Sequence, residues 1–130
     1  MLSIQKIGVV GAGQMGRGIA QVAAQSGVDV VLLDADEELA RSGKETIARI
    51  LGKLVEKGKL DGKERDQTLV RIVPSGQYAA LETCQLVVEA APEGEAIKLK
   101  VFTELDRVTA PSTILASNTS SISITKLGAI

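Results

Sequence analysis

The segment GVVGAGQMGRGIAQVAAQSGVDVVLLD, Gly8 to Asp34, restricts this chain more than any other part of it. Ile7, Val9 and Val10 give the short apolar run of a buried strand, and Gly11-Ala12-Gly13-Gln14-Met15-Gly16 follows as G-x-G-x-x-G. A helical pattern then runs from Gln14 to Ser26 and is closed by Gly27, and a second strand, Asp29–Asp34, ends in an acid 18 positions beyond Gly16. Strand, glycine turn, helix and acid-terminated strand in this register are the parts of a βαβ unit built around an anion.

Each part answers a separate physical demand. The tight exit from the strand, the close approach of backbone to a diphosphate and the packing of helix on strand each exclude a Cβ, and Gly11, Gly13 and Gly16 meet them in that order. The free amides from Gln14 onward face the phosphates at the positive end of a helix, so no lysine or arginine is needed in the turn. Asp34 is placed to accept hydrogen bonds from an adenosine ribose. Asp36 and Glu37 add negative charge beside it and no cation flanks it, so a 2′-phosphate would be repelled and NAD is favoured over NADP. The same fingerprint cradles the pyrophosphate of FAD, and one βαβ unit alone does not separate the two.

Composition closes off other classes. The 130 residues fit one domain with a real core. A net charge of −1 and only two aromatic residues, Tyr78 and Phe102, leave neither the electrostatics nor the stacking platform of a nucleic-acid binder. No apolar run reaches the ~18 residues of a membrane span and the N-terminus lacks the sections of a signal peptide, so a soluble, cytoplasmic protein is expected. The single cysteine, Cys84, allows no internal disulfide and reads as a buried small hydrophobe. Histidine is absent, which excludes imidazole bases, Ser-His or Cys-His nucleophiles and histidine metal ligands. No metal site is expected, and any base must be Asp, Glu, Lys or Tyr.

The remaining sequence continues the alternation. A long helix starts near Asp36 with Ile47, Ile50, Leu51, Leu54 and Val55 on one face and ends at Gly58. A shorter helix at Gly62–Leu69 precedes a third strand at Arg71-Ile72-Val73, stopped by Pro74 and Ser75. Leu86–Glu89 reads as a fourth strand, Glu95–Val108 as an amphipathic helix, Thr113–Ser117 as a fifth strand and Ser123–Ile130 as the start of another helix. The expected fold is therefore α/β, a Rossmann-type doubly wound parallel sheet of order 3-2-1-4-5 with a long helical insertion after strand 2 and its ligand beyond the carboxyl ends of strands 1 and 4. That topology brings Asp34, Glu89, Glu93 and the run Ser117-Asn118-Thr119-Ser120-Ser121 to one end. Taken alone, SNTSS is equally a helix cap, and Glu93 and Lys98 are equally solvated charges.

GVVGAGQMGRGIAQVAAQSG, LVVEAAPE and ILASNTSSISIT, in this order and across essentially the whole chain, resemble the NAD-binding domain of the 3-hydroxyacyl-CoA dehydrogenases, including the bacterial 3-hydroxybutyryl-CoA dehydrogenases. The resemblance implies interconversion of an L-3-hydroxyacyl-CoA and a 3-ketoacyl-CoA by hydride transfer with NAD as cofactor. It assigns Glu93 and Lys98 to contacts with the cofactor, Asn118 to the cofactor side, and Ser120 to the catalytic serine that hydrogen-bonds the substrate's 3-oxygen beside the nicotinamide. Its acyl-CoA substrate carries phosphates, which gives a purpose to a basic stretch in which seven Lys or Arg stand against four acids between Lys44 and Arg65. Lys57 is the candidate CoA contact, although such a row is also an ordinary solvated helix face.

The chain departs from that pattern at its end. The family's general-base histidine, in the next strand, and its C-terminal helical domain have no counterpart here, so residues 1–130 are expected to be a truncated Rossmann domain, inactive alone. A homo-oligomer is expected, non-native and formed through the exposed edge of strand 5 or the face beside SNTSS. Two other readings stay open: a non-catalytic NAD-binding module such as a redox sensor or scaffold, and a different β-hydroxyacid dehydrogenase, against which SNTSS argues.

Overall fold

The computed structural model of the chain describes residues 4–90, 103–109 and 113–117. Five parallel strands form one sheet of order β3-β2-β1-β4-β5, with β1 at Lys6–Val10, β2 at Asp29–Leu33, β3 at Ile72–Ser75, β4 at Leu86–Glu89 and β5 at Ile114–Ser117. The order is the one expected from the alternating pattern. Helix α1, Gln14–Gln25, links β1 to β2, and α2, Glu37–Glu56, and α3, Gly62–Arg71, fill the connection from β2 to β3. No described helix is long and apolar enough to cross a membrane.

Side-chain alternation along the strands splits the core into two layers. Ile7, Val9, Val30, Leu32 and Ile72 face α1 and α2, where Ala20, Ala24, Ile47 and Leu51 close over them. Val10, Val31, Leu33 and Val87 point to the other face and pack with Leu81, Cys84 and Leu105. The second layer comes from a 3₁₀ turn at Tyr78–Leu81, which the sequence pattern did not suggest, and from helical residues 103–108. Cys84 is a buried free thiol, as expected of a small hydrophobe.

Two boundaries differ from the sequence reading. Arg71 ends α3 instead of opening β3, and its Nη1 donates to the Ala24 carbonyl at 2.8 Å. Gly27 N–H already donates to that carbonyl at 3.1 Å, so the guanidinium adds a second, charged donor there and ties the end of α3 to the end of α1. Pro74 and Ser75 do not stop the third strand; they lie within it, in register with Leu32 and Leu33. Proline is tolerated because β3 is the outer strand and its missing N–H is needed by no neighbour. The N-terminal half of the Glu95–Val108 helix and the Ser123–Ile130 helix lie outside the described residues.

Candidate functional site

The glycine turn leaves the carboxyl end of the central strand β1. Gly11 has φ +110°, a conformation that side chains rarely adopt, and its N–H donates to the Leu33 carbonyl at 2.7 Å. The bend is thereby tied to the last residue of β2. A Cβ on Gly16 would collide with the Gly11 carbonyl oxygen, so α1 can rise off the strand at this steep angle only with glycine there. Gly13 is different: its φ of −75° is ordinary and a Cβ there would meet nothing within 4 Å. Nothing inside the described protein requires a glycine at that position.

Helix α1 begins at Gln14 with Gly13 as its N-cap and has neither a side-chain cap nor an acid in its first turn. The other two long helices are closed in the usual way: Asp36 accepts from Glu38 N–H and Asp61 from Lys63 N–H, with Glu37, Glu38 and Glu64 in their first turns. Only α1, among these three, presents its opening amides and the positive end of its dipole to whatever approaches the turn. Met15 is 57% exposed and leads, with Ile19 and Val22, into an apolar groove along the outer face of α1.

Asp34 follows β2 directly and its carboxylate lies against the bend. One oxygen, Oδ2, accepts from Ala12 N–H at 2.8 Å, and Oδ1 accepts from Ala35 N–H at 2.7 Å. Both bonds are charge-assisted and fix the rotamer, while each oxygen keeps lone pairs for a further donor. Asp34 N–H in turn donates to the Ser75 carbonyl at 3.2 Å, so β3 helps to hold the acid in place.

Glu89 is paired in register with Val10, one residue before the glycine turn, and is fully buried. The sequence reading brought it to this end of the sheet but not to a site; its signal was a charge closing an otherwise apolar LVV run. Tyr78 is half-buried, packs on the second core layer and was not singled out. Burial pushes its phenol up from the ordinary value, and the negative charges of Glu104, Asp34 and Glu89 push it further in the same direction. Burial likewise raises the Cys84 thiol, against a smaller opposing effect of Lys6.

The structure thus brings Gly11, Ala12, Gly13, Gln14, Met15, Gly16 and Asp34 together. Lys57 is not part of that group: it caps the far end of the 20-residue α2, about 30 Å from the end beside Asp34 at 1.5 Å per residue. Glu93, Lys98, Asn118 and Ser120 lie outside the described residues. Among the described residues no cluster of three or more His, Cys, Asp or Glu side chains could hold a metal ion.

Residues 6–130 match the family model of the 3-hydroxyacyl-CoA dehydrogenase NAD binding domain. A 3-hydroxybutyryl-CoA dehydrogenase of Mycobacterium tuberculosis is 47% identical over 98% of this chain and 45% of its own length. A probable 3-hydroxybutyryl-CoA dehydrogenase of Deinococcus radiodurans is 52% identical over 94% of this chain and 44% of its own. The crystal structure of an (S)-3-hydroxybutyryl-CoA dehydrogenase from Ralstonia eutropha superposes with a TM-score of 0.92 at 42% identity, over 98% of this chain and 45% of that one. The chain therefore spans less than half the length of these relatives.

Proposed function

Because the chain belongs to the NAD-binding domain family of the 3-hydroxyacyl-CoA dehydrogenases, we propose that Gly11, Ala12, Gly13, Gln14, Met15 and Gly16 hold the pyrophosphate of NAD and that Asp34 holds the adenosine ribose. The observation that carries this is the Asp34 carboxylate anchored 2.8 Å from Ala12 N–H, beside the uncapped start of α1. The space over Gly13, where a Cβ would touch no protein atom, suits a ligand that must approach the backbone closely.

In a protein of its relatives' length, the domain would serve the interconversion of an L-3-hydroxyacyl-CoA and the corresponding 3-ketoacyl-CoA. NAD, when bound, supplies the hydride acceptor. By resemblance, Glu93, Lys98 and Asn118 would contact the cofactor, and Lys57, chosen from the basic helix row, would meet the phosphates of an acyl-CoA substrate. Ser120 would donate a hydrogen bond to a ketone oxygen and accept one from an alcohol, serving both directions. The family's proton acceptor is a histidine, and these 130 residues contain none. The chain alone therefore binds NAD without turnover.

Calorimetric titration tests the reading. NAD should bind at least about tenfold more tightly than NADP, because a 2′-phosphate would meet Asp34, Asp36 and Glu37. Equal affinities would remove the role of Asp34, and absence of binding would remove the whole assignment. Acetoacetyl-CoA with NADH should give no loss of nicotinamide absorbance; clear turnover would show that a base other than imidazole operates in this chain.

We also propose that the chain self-associates along β5. Pro74 guards the β3 edge of the sheet, whereas β5 has no outer neighbour among the described residues and its Ile114 is 45% exposed. Sedimentation at increasing concentration should show a dimer or larger species, and a monomer throughout would end this reading.

A further inference from the structure

We infer that Tyr78 forms a wall of the adenosine end of the dinucleotide site, on the sheet face opposite α1, where its ring borders the bound adenosine. The inference rests on the NAD reading above and adds to it a residue outside the glycine fingerprint.

The placement follows from topology. After Ser75 the chain leaves the carboxyl end of β3 and descends on the face away from α1, and the 3₁₀ turn Tyr78–Leu81 is the first structure it forms. Tyr78 packs there against the core layer that contains Val10 and Leu33. These are the residues immediately before Gly11 and Asp34, and the two strand ends are bonded to each other through Gly11 N–H and the Leu33 carbonyl. A half-buried aromatic ring thus borders the two strand ends that carry the site, leaving part of its edge or face accessible. An aromatic wall of this kind offers a purine a large, rigid contact at low entropic cost.

The charges around the phenol agree with the position. Asp34 from the end of β2, Glu89 from the end of β4 and Glu104 from helical residues 103–108 are all close enough to disfavour its ionisation, after burial itself. Asp34 and Glu89 stand at the carboxyl ends of β2 and β4, so these charged surroundings accord with the placement that the core packing gives. The phenol remains protonated at neutral pH, so the ring meets the ligand uncharged.

The chain contains one tyrosine and no tryptophan, so its intrinsic fluorescence reports Tyr78 with almost no background. Fluorescence, corrected for ligand absorbance with N-acetyltyrosinamide, should change on titration with NAD and with ADP-ribose, saturating at the affinities found by calorimetry. Nicotinamide mononucleotide, which lacks adenosine, should leave it unchanged. Tyr78→Ala should weaken NAD and ADP-ribose alike by about three- to tenfold, and Tyr78→Phe, which keeps the ring and its packing, should stay within about twofold of the parent. The tyrosinate absorbance titration should move to still higher pH when NAD is bound, because the diphosphate adds negative charge.

If NAD binds by calorimetry while fluorescence ignores ADP-ribose and Tyr78→Ala binds as the parent does, Tyr78 is not in the site, although the glycine turn still is. If the fluorescence follows the mononucleotide instead, the orientation of the ligand is reversed and the inference fails. Absence of any NAD binding would remove this inference together with the reading it extends.

Discussion

The carbonyl oxygen of Gly11 occupies the space that a Cβ on Gly16 would need. The two glycines, five residues apart, form a single steric unit: the first bends the chain with a positive φ, and the second lets the helix pass over the bend it has made. Gly16→Ala should therefore cost stability as an overpacking substitution, about 1–3 kcal/mol, and abolish measurable NAD binding. Thermal unfolding and calorimetry on the same preparation check both halves.

Gly13→Ser separates the fold from the ligand. Serine would give α1 the side-chain cap that Asp36 and Asp61 give α2 and α3, and the added Cβ meets no protein atom. Stability should hold or rise by a few tenths of a kcal/mol while NAD affinity falls at least tenfold. A parallel loss of both would mean that the open space over Gly13 is structural.

Asp34→Ala withdraws the acceptor from the Ala12 and Ala35 amides, which lie 2.8 and 2.7 Å from its two oxygens. NAD affinity should fall about ten- to a hundredfold, as expected for loss of charge-assisted hydrogen bonds, and the preference over NADP should largely disappear. Competition between the two cofactors measured by calorimetry decides the point. An unaltered preference would move discrimination to Asp36 and Glu37.

Alkaline pH should destabilise the domain through groups that become charged inside it. Burial raises the Cys84 thiol above its ordinary 9.0 and the Tyr78 phenol above its ordinary 10.0. A raised acid binds its proton more tightly in the folded state, so its stabilisation is complete below the unfolded value and is lost as pH climbs through the folded one. Denaturant midpoints should fall above pH 9, and Cys84→Ala should flatten the first part of that fall. The partly buried Lys44, lowered by desolvation, acts with the opposite sign near its ordinary 10.5. A midpoint indifferent to pH in this range would contradict the burial of both groups.

Arg71→Met should remove about 0.5–1.5 kcal/mol by taking away the charged donor that supplements Gly27 N–H on the Ala24 carbonyl, and leave NAD affinity unchanged because it acts at the opposite end of α1 from the glycine turn. Chemical denaturation beside calorimetry reads out the contrast.

Most of the scaffold was legible because its signals are local. The apolar runs of β1, β2 and β4, the glycine bend and the helical spacing of α1 and α2 depend on residues within a few positions of one another. Ile47 and Leu51 could be assigned inward from periodicity alone, and Gly11, Gly16 and Asp34 from spacing. What escaped depends on partners far along the chain. Pro74 belongs to a strand because β3 is an edge, and the Arg71 side chain reaches a carbonyl at Ala24, 47 positions earlier. Glu89 and Tyr78 gain meaning only when β1, β2 and β4 are adjacent. No periodicity encodes that adjacency, although the strand order deduced from crossover handedness supplies it. Lys57, read as a CoA contact and apart from the glycine turn, stands at the far end of the 20-residue α2.

Helix α2 touches the bend at one point. Gly43 brings its axis so near Ala12 that an added Cβ would lie 3.1 Å from the Ala12 Cβ and 3.3 Å from its carbonyl oxygen. The helix is held just as firmly beyond that contact, since Ile47 and Leu51 are buried against the sheet, so the residue whose N–H holds Asp34 has a stiff backing. A larger residue at position 43 would have to displace Ala12, and with it the amide on which the Asp34 carboxylate rests.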